Sequence, residues 1–409
     1  MSKIYHFAPL SFPISVMAKP VGSLCNMACE YCYYLEKNVL YEDGKSHKMS
    51  EQLLERFISE YIHCQTAPTV QFTWHGGEPL LRGLDFYRKA VRLQRHYRRG
   101  KEITNSIQTN GLLLNDEWCK FFKDNQFLVG ISVDGPEKIH DYYRKDCGGK
   151  GTFKRVMRGI ELLKKHDVEF NTLSVIHDYN VDFPLEIYRF FKEIGSRYMQ
   201  FAPIVERLGT RNDGLELLTP TDICDDSEID PRSVDPIKYG NFYIQIFDEW
   251  VRNDVGRYYV QLFDATLAGM VGEQPGVCVY AQTCNHALAM EYNGDVYACD
   301  HFVFPEYKRG NILRDTFTNM VLSDEQQRFA TDKRKGLPYQ CQTCKYLNLC
   351  NGECPKNRIV TTSNGEYGLN YLCLGLKLYF EHVYPYMEFM AEELRNRRPA
   401  ANVMQMAVQ

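Results

Sequence analysis

The chain has 409 residues, of which 44% are hydrophobic and 24% charged, an ordinary composition for a globular protein of two or three domains with a large core. Its net charge of −4 provides no basic surface for nucleic acid or an anionic membrane. The residues before Cys25 lack the pattern of a signal peptide, and no stretch approaches the length of about 18 apolar residues that a membrane span needs. We therefore expect a cytoplasmic protein without nucleic-acid or membrane partners.

The first half of the chain, from Ile14 to about Pro203, alternates apolar β-branched runs with segments of helical period. The predicted strands are Ile14–Pro20, Val70–His75, Ile103–Thr109, Leu128–Val133, Glu169–Ile176 and Tyr198–Pro203. The predicted helices are Ser50–Cys64, Leu84–His96, Asp116–Asp124, Thr152–His166 and Val181–Ile194, with Ser50, Asn115 and Thr152 as N-caps. This alternation predicts parallel βα units with right-handed crossovers. The expected α/β fold is an open partial barrel of TIM type with six βα units and an active site at the C-terminal strand ends.

A polar, acidic stretch from Arg207 to about Pro236 predicts a linker, and a helical pattern follows from Ile237 to about Asn253. We therefore expect a barrel domain at residues 1–235 and a cysteine-rich domain at 236–380. A C-terminal helix and tail are expected at 381–409.

The fifteen cysteines are many for a cytosolic chain, in which clustered cysteines usually bind metal. Cys25, Cys29 and Cys32 follow the first predicted strand with the spacing C-x3-C-x2-C. Three thiolates can hold three irons of a [4Fe–4S] cube and leave the fourth iron open for a substrate or cofactor. A zinc knuckle is the alternative, but it needs a fourth ligand nearby, and the nearest downstream histidine, His47, lies in a polar loop.

Eight further cysteines form two runs in the C-terminal part. The first, Cys278-x5-Cys284-x14-Cys299, contains a predicted hairpin in which Ala289–Tyr292 and Val296–Cys299 flank an Asn-Gly-Asp turn. The second is Cys341-x2-Cys344-x5-Cys350-x3-Cys354-x18-Cys373. Eight thiolates suffice for two complete four-cysteine sites, and structural zinc is an alternative occupant.

The first motif, with Tyr31 as the aromatic residue of C-x3-C-x-aromatic-C, resembles the signature of radical S-adenosylmethionine (SAM) enzymes. The resemblance implies that the open iron chelates SAM, which is cleaved to a 5′-deoxyadenosyl radical. The later run resembles SPASM domains, which carry auxiliary [4Fe–4S] clusters. By that resemblance one cluster is held by Cys278, Cys284, Cys299 and Cys354, and the other by Cys341, Cys344, Cys350 and Cys373. Three clusters, two of them fully ligated, imply an overall oxidation.

Several loops after the predicted strands carry residues that match this family. Gly76, Gly77 and Glu78 resemble its GGE motif, whose backbone binds the SAM amino group; a tight turn is the alternative. Ser132 matches a residue that contacts SAM in relatives, and Arg144 can reach the SAM carboxylate unless it is a solvated surface arginine. Met199 is expected to pack against adenine, although the pattern alone favours a core methionine.

From about Val16 to Cys373 the chain resembles the anaerobic sulfatase-maturating enzymes. This implies oxidation of a serine or cysteine in the C/S-x-P/A-x-R segment of an unfolded sulfatase or peptide to Cα-formylglycine. A flavodoxin- or ferredoxin-type protein would supply electrons. Asp300, next to Cys299, is the expected base for the heteroatom proton. The alternative role for Asp300 is to cap a turn, and the alternative base is His301.

The resemblance also concerns substrate contacts. Tyr34 matches a tyrosine near the substrate in relatives, with a core aromatic as the alternative, and Gln108 is a weaker substrate candidate. The role of His75 is open, because some relatives have glutamine there.

Two other functions compete with this interpretation. One is a SPASM enzyme that crosslinks a ribosomal peptide, which the small number of residues before Cys25 disfavours because many such enzymes begin with a winged-helix domain. The other is a non-catalytic zinc or iron–sulfur interaction protein. The incomplete three-cysteine site argues against it.

Overall fold

The computed structural model describes residues 10–41, 47–209, 216–219, 228–284 and 286–407. Six parallel strands lie side by side in sequence order. They are β1 (Ser15–Ala18), β2 (Thr69–Trp74), β3 (Glu102–Thr109), β4 (Phe127–Ser132), β5 (Phe170–Ile176) and β6 (Tyr198–Pro203). Each lies where the sequence predicts it, to within two residues at either end. The predicted open barrel with six βα units is confirmed.

Helices pack on the outer face of these strands, as expected for βα units. They are α1 (Glu51–Cys64), α2 (Leu84–Tyr97), α3 (Asp116–Asp124), α4 (Glu137–Tyr143), α5 (Phe153–Lys165) and α6 (Pro184–Glu193). The sequence prediction missed α4, because it is short and begins directly after the Asp-Gly-Pro turn. The core lies between these helices and the sheet, where Phe57 meets Phe72 and Trp74 edge to face.

Two of the three predicted N-caps are confirmed. Ser50 and Asn115 accept hydrogen bonds from the backbone N–H groups of Leu53 and Trp118. Thr152 does not cap α5 with its side chain; its hydroxyl donates to the carbonyl of Arg144 at 2.9 Å. Asp141 Oδ1 instead accepts from the backbone N–H of Thr152. This arrangement ties the start of α5 to the loop that carries Arg144.

The C-terminal part extends the barrel sheet. It contains β7 (Arg207–Leu208), β8 (Glu228–Ile229), α7 (Pro236–Asn253), β9 (Tyr259–Val260), α8 (Gln261–Val271), β10 (Ala287–Met290), β11 (Asp295–Tyr297) and β12 (Lys308–Asn311). Strand β10 pairs in parallel with β1, and β11 and β12 follow antiparallel, while β9 pairs with β6 at the other edge. The predicted hairpin is confirmed. It lies beside the strand that leads into the first cysteine motif.

The remaining elements surround the second cysteine run. They are α9 (Phe317–Leu322), α10 (Asp324–Lys335), α11 (Tyr339–Gln342), α12 (Leu347–Cys350), β13 (Val360–Thr361), β14 (Tyr367–Leu369), α13 (Cys373–Arg395) and α14 (Val403–Met406). Helices α7 and α13 cross closely, since a methyl group at Gly375 would lie 1.7 Å from the Pro236 carbonyl oxygen. Helix α13 is continuous across residues 380 and 381. The predicted start of a separate C-terminal helix at 381 is therefore wrong, because this helix begins at the last cysteine of the run.

Part of the predicted linker, residues 210–215 and 220–227, lies outside the described residues. In the part of the chain that the structure covers, no helix has the length and apolar character needed to cross a membrane.

Candidate active site

The loop after β1 brings Cys25, Cys29 and Cys32 together at the C-terminal edge of the barrel. They are half-buried, and partial removal from water raises the pKa of Cys25 to about 12 and that of Cys29 to about 11. Thiols in such surroundings become thiolates when a metal centre displaces their protons. Among the described residues, no three Cys, His, Asp or Glu side chains converge closely enough to hold one ion. Three thiolates on one loop suit a cube, in which each binds a different iron, whereas a structural zinc takes four ligands.

The Gly-Gly-Glu segment after β2 packs directly on the cysteine loop. The backbone N–H of Gly77 donates to the carbonyl of Gly22 at 2.8 Å, and that of Glu78 donates to Leu24 at 2.9 Å. A Cβ atom at Gly77 would lie 2.2 Å from the carbonyl oxygen of Leu24. Glycine is therefore required at position 77 by the approach of the two loops.

The carboxylate of Glu78 is fully buried and used within the protein. It accepts hydrogen bonds from the hydroxyl of Thr109 and the backbone N–H of Asn110, both at 2.8 Å. Burial raises its pKa to about 7. The sequence prediction grouped Glu78 with the SAM contacts, but the geometry gives its side chain a different task. It fixes the loop after β3 to the loop after β2.

Replacing Gly77 by alanine is expected to raise the dissociation constant for SAM by tenfold or more. The added methyl group must displace the backbone that leads to Cys25, a distortion that costs about 1–3 kcal/mol in packed regions. Equilibrium dialysis with radiolabelled SAM on the reconstituted protein measures this change. Gly148→Ala is the matched control, because its Cβ would meet only the carboxylate end of Asp146 at 3.3 Å. Unchanged SAM affinity in Gly77→Ala would contradict the expectation.

Tyr31 belongs to a buried cluster of polar side chains beside the cysteine loop. Its hydroxyl donates to Asp134 Oδ2 at 2.7 Å and accepts from Arg144 Nη1 at 2.8 Å. Arg144 is 5% exposed, so it is not a solvated surface arginine. Its Nε atom is buried and has no hydrogen-bond partner among the described residues. An N–H group left open in this way fits a carboxylate ligand. Asp134, which the sequence prediction treated only as part of a turn, holds this cluster together.

Gln108 and Ser132 lie next to each other on the inner face of the barrel, where Gln108 Nε2 donates to Ser132 Oγ at 2.9 Å. Met199 does not join them. It shares the outer face of β6 with Phe201, which packs on Phe242 of α7, and it is 1% exposed. Side chains alternate along a strand, so residues 199 and 201 point to the same face, away from the barrel interior. The predicted contact between Met199 and adenine is therefore wrong.

Asp300 lies at the junction of the barrel and the hairpin. Its carboxylate forms an ion pair with Lys19, and Tyr33 Oη donates to its Oδ2 at 2.8 Å. Burial alone raises the pKa of Asp300, but Lys19, together with His75 and His301, outweighs burial and holds the pKa well below its usual range. The carboxylate is thus ionised and offers acceptor oxygens, while the same positive charges that lower its pKa also reduce its basicity. It is not a turn cap, because its partners come from distant parts of the chain.

The neighbouring side chains were only partly predicted. The hydroxyl beside Asp300 belongs to Tyr33, whereas the Tyr34 hydroxyl donates to the buried Glu291 and its ring lies 3.4 Å from the Lys19 ammonium. Tyr34 is thus part of the buried charge network and does not present a free hydroxyl. Burial lowers the pKa of His75 to about 4, so its ring is neutral at pH 7.

His301, the alternative base, stacks on Tyr33 with ring centroids 5.8 Å apart. The sequence prediction missed Lys19 and Tyr33. A lysine directly after an apolar strand was the available signal for Lys19.

The eight C-terminal cysteines divide into the two expected sets. One small cavity is lined by four of them, Cys341, Cys344, Cys350 and Cys373. Burial is the main cause of the raised pKa values in the other set. A smaller part comes from the mutual proximity of its four thiols, those of Cys278, Cys284, Cys299 and Cys354. Each set offers four sulfur ligands, which suits a fully ligated iron–sulfur cluster.

Comparison with known proteins agrees with this geometry. Residues 20–191 match the radical SAM superfamily, and residues 278–345 match an iron-sulfur cluster-binding domain, SPASM. The chain is 56% identical to a serine-type anaerobic sulfatase-maturating enzyme of Bacteroides thetaiotaomicron, over 97% of this chain and 96% of that relative. It is 32% identical to a cysteine-type anaerobic sulfatase-maturating enzyme of Clostridium perfringens, over 94% of this chain and 100% of that relative.

A solved structure, native anSMEcpe with bound AdoMet and Cp18Cys peptide, matches with a TM-score of 0.81 and 31% identity, covering 93% of this chain and 100% of that one. The fold and the three cysteine sets define a radical SAM enzyme with a SPASM domain. Within that class, the chain belongs to the family of anaerobic sulfatase-maturating enzymes.

Proposed function

We propose that this chain oxidises a serine in an unfolded sulfatase segment of the C/S-x-P/A-x-R type to Cα-formylglycine. The observation that carries the proposal is the ionised Asp300 carboxylate. It lies next to Cys299 and contacts Lys19 and Tyr33 of the barrel domain. The identity of 56% to a serine-type enzyme, against 32% to a cysteine-type enzyme, supports serine as the target. The neutral ring of His75 adds a second polar side chain beside this carboxylate.

The residues around the first cysteine motif bind and orient the cofactors. Cys25, Cys29 and Cys32 would hold the [4Fe–4S] cluster that binds SAM. The unpartnered Nε of Arg144 suits the SAM carboxylate, and the backbone of Gly76 and Gly77, with Ser132 across the barrel, completes the contact surface. When bound, SAM and its cluster supply abstraction of a hydrogen atom from the substrate side-chain CH2.

Asp300 accepts the heteroatom proton of the substrate as that carbon is oxidised. Lys19 and Tyr33 hold its carboxylate in place and balance its charge before the proton arrives. A positioned general base of this kind typically contributes about 10²–10⁴-fold to a rate. The two C-terminal cysteine sets would hold auxiliary clusters that carry electrons.

The reductant would be a small flavodoxin- or ferredoxin-type protein, and the free state of the described cysteines supports a reducing, cytoplasmic setting.

The proposal is tested by anaerobic turnover of the reconstituted protein with SAM, a chemical reductant and two synthetic peptides that carry serine or cysteine at the target position. Mass spectrometry follows the peptides and 5′-deoxyadenosine. We expect an aldehyde in the serine peptide, formed one-for-one with 5′-deoxyadenosine. A crosslinked peptide, or SAM cleavage without any aldehyde, would overturn the proposal.

A further inference from the structure

Between the two C-terminal cysteine sets lies one buried arginine, Arg358. Its side chain is 6% exposed. Nε donates to the carbonyl of Gly352 at 3.0 Å and Nη1 to that of Lys333 at 2.6 Å, while Nη2 donates to Asn351 at 3.0 Å. All of its hydrogen bonds among the described residues go to neutral carbonyl groups. A guanidinium is always charged, and a buried charge is costly unless another charge balances it.

The backbone around Arg358 is shaped to receive it. Asn351, Gly352 and Glu353 have φ values of +47°, +71° and +51°, so three consecutive residues adopt the left-handed conformation that non-glycine residues rarely occupy. A Cβ atom at Gly352 would lie 2.6 Å from Nη2 of Arg358. This curl turns successive carbonyl groups toward the guanidinium. Strained backbone of this kind persists where the surrounding structure requires it.

The same segment belongs to both cysteine sets. Residues 351–353 join Cys350, of the second set, to Cys354, of the first, and Gly352 lines the cavity of the second set. Arg358 Nη2 also contacts the carbonyl of Glu353 at 3.4 Å, directly before Cys354, whereas the buried Glu353 carboxylate accepts from the side chains of Asn357 and Asn370. Lys333 is a second buried cation, but it donates to the carbonyls of Cys278 and Val279 on the side of the first set.

We infer that Arg358 is the shared counter-charge of the two auxiliary iron–sulfur clusters and raises the reduction potential of both. Each four-thiolate cluster carries net negative charge, and net charge and hydrogen bonding set the potential of such clusters. A fixed positive charge beside both favours their reduced forms. Arg358 is therefore a positioning residue for electron transfer. This inference rests on the proposed function, because it requires that both sets hold clusters.

The test is a redox titration of the reconstituted protein, followed by electron paramagnetic resonance of each cluster. We expect Arg358→Gln to lower the midpoint potentials of both auxiliary clusters and to leave that of the barrel cluster unchanged. Arg358→Lys keeps the charge and loses part of the hydrogen bonding, so its potentials should stay near those of the unmodified protein even if its thermal stability falls. Arg252→Gln is the control for loss of an arginine away from the clusters, because Arg252 is exposed and its hydrogen bonds among the described residues go to the carbonyls of Ala407 and Asp248.

The possible results distinguish the role of Arg358 from the proposed function of the chain. Auxiliary signals with unchanged potentials in Arg358→Gln would overturn the role of Arg358 and leave the proposed function intact. A shift of only one auxiliary cluster would overturn the shared role. Absence of both auxiliary signals from the unmodified protein, with iron and sulfide sufficient for one cluster only, would instead contradict the proposed function. If Arg358→Gln does not fold, Arg358→Lys provides the test. Because lysine keeps the positive charge, an equal fall in both auxiliary midpoint potentials would overturn the charge-based explanation.

Discussion

Replacing Cys29 by alanine is expected to abolish both SAM cleavage and peptide oxidation. Cys29 is half-buried and lies close to Cys32, Arg144 and Asp134. With two thiolates left, the barrel site cannot hold the cluster that binds SAM. Release of 5′-deoxyadenosine, measured by chromatography under anaerobic conditions, should fall to the background of a reaction without enzyme.

The same variant should keep its two auxiliary clusters. Iron and labile sulfide are therefore expected to fall by the content of one cluster, and the aldehyde product should be absent. Cys147→Ala is the control, because Cys147 is an exposed free thiol outside the three sets; it should retain full iron and activity. Normal SAM cleavage by Cys29→Ala would show that the barrel cysteines do not hold the catalytic cluster.

The barrel could be predicted from sequence because each of its elements has a strong local signal. Strands such as Val70–His75 and helices such as Leu84–His96 show the periods of their secondary structure. The cysteine spacings indicate metal ligation, and the resemblance to SPASM domains supplied the division of the later cysteines into two sets. The local pattern of β6 already favoured a core position for Met199, whereas its expected contact with adenine came from the resemblance. The resemblance also gave Glu78 a role in SAM binding, and no local pattern could predict its hydrogen bonds to the loop after β3, because they depend on how two loops meet.

The surroundings of Asp300 depend on a contact between distant parts of the chain. Parallel pairing of β1 with β10 brings the end of β10, with Glu291, next to Lys19 and Tyr34. No pattern within either segment predicts that pairing, because register between distant strands is set by the packed structure. The resemblance identified Asp300, whereas the structure shows what keeps its carboxylate ionised. Lys19 and Tyr33 therefore had to come from the structure.

Replacing Asp300 by asparagine is expected to separate SAM cleavage from product formation. The amide cannot accept the substrate proton, so aldehyde formation should fall by about 10²–10⁴-fold, the usual contribution of a general base. The first cysteine motif is untouched, so 5′-deoxyadenosine should continue to form. Mass spectrometry should then find 5′-deoxyadenosine in large excess over aldehyde, where the unmodified enzyme gives one of each.

Loss of the carboxylate also leaves the buried Lys19 without its partner, which typically costs about 3–5 kcal/mol for a buried pair. The double variant Lys19→Met with Asp300→Asn removes both charges, so it should recover most of that stability in thermal unfolding while still forming no aldehyde. This separates the chemical role from the structural one. His301→Gln tests the alternative base: it should keep the one-to-one ratio, because Asp300 retains Lys19 and Tyr33. Coupled turnover in Asp300→Asn together with uncoupling in His301→Gln would assign the base to His301 instead.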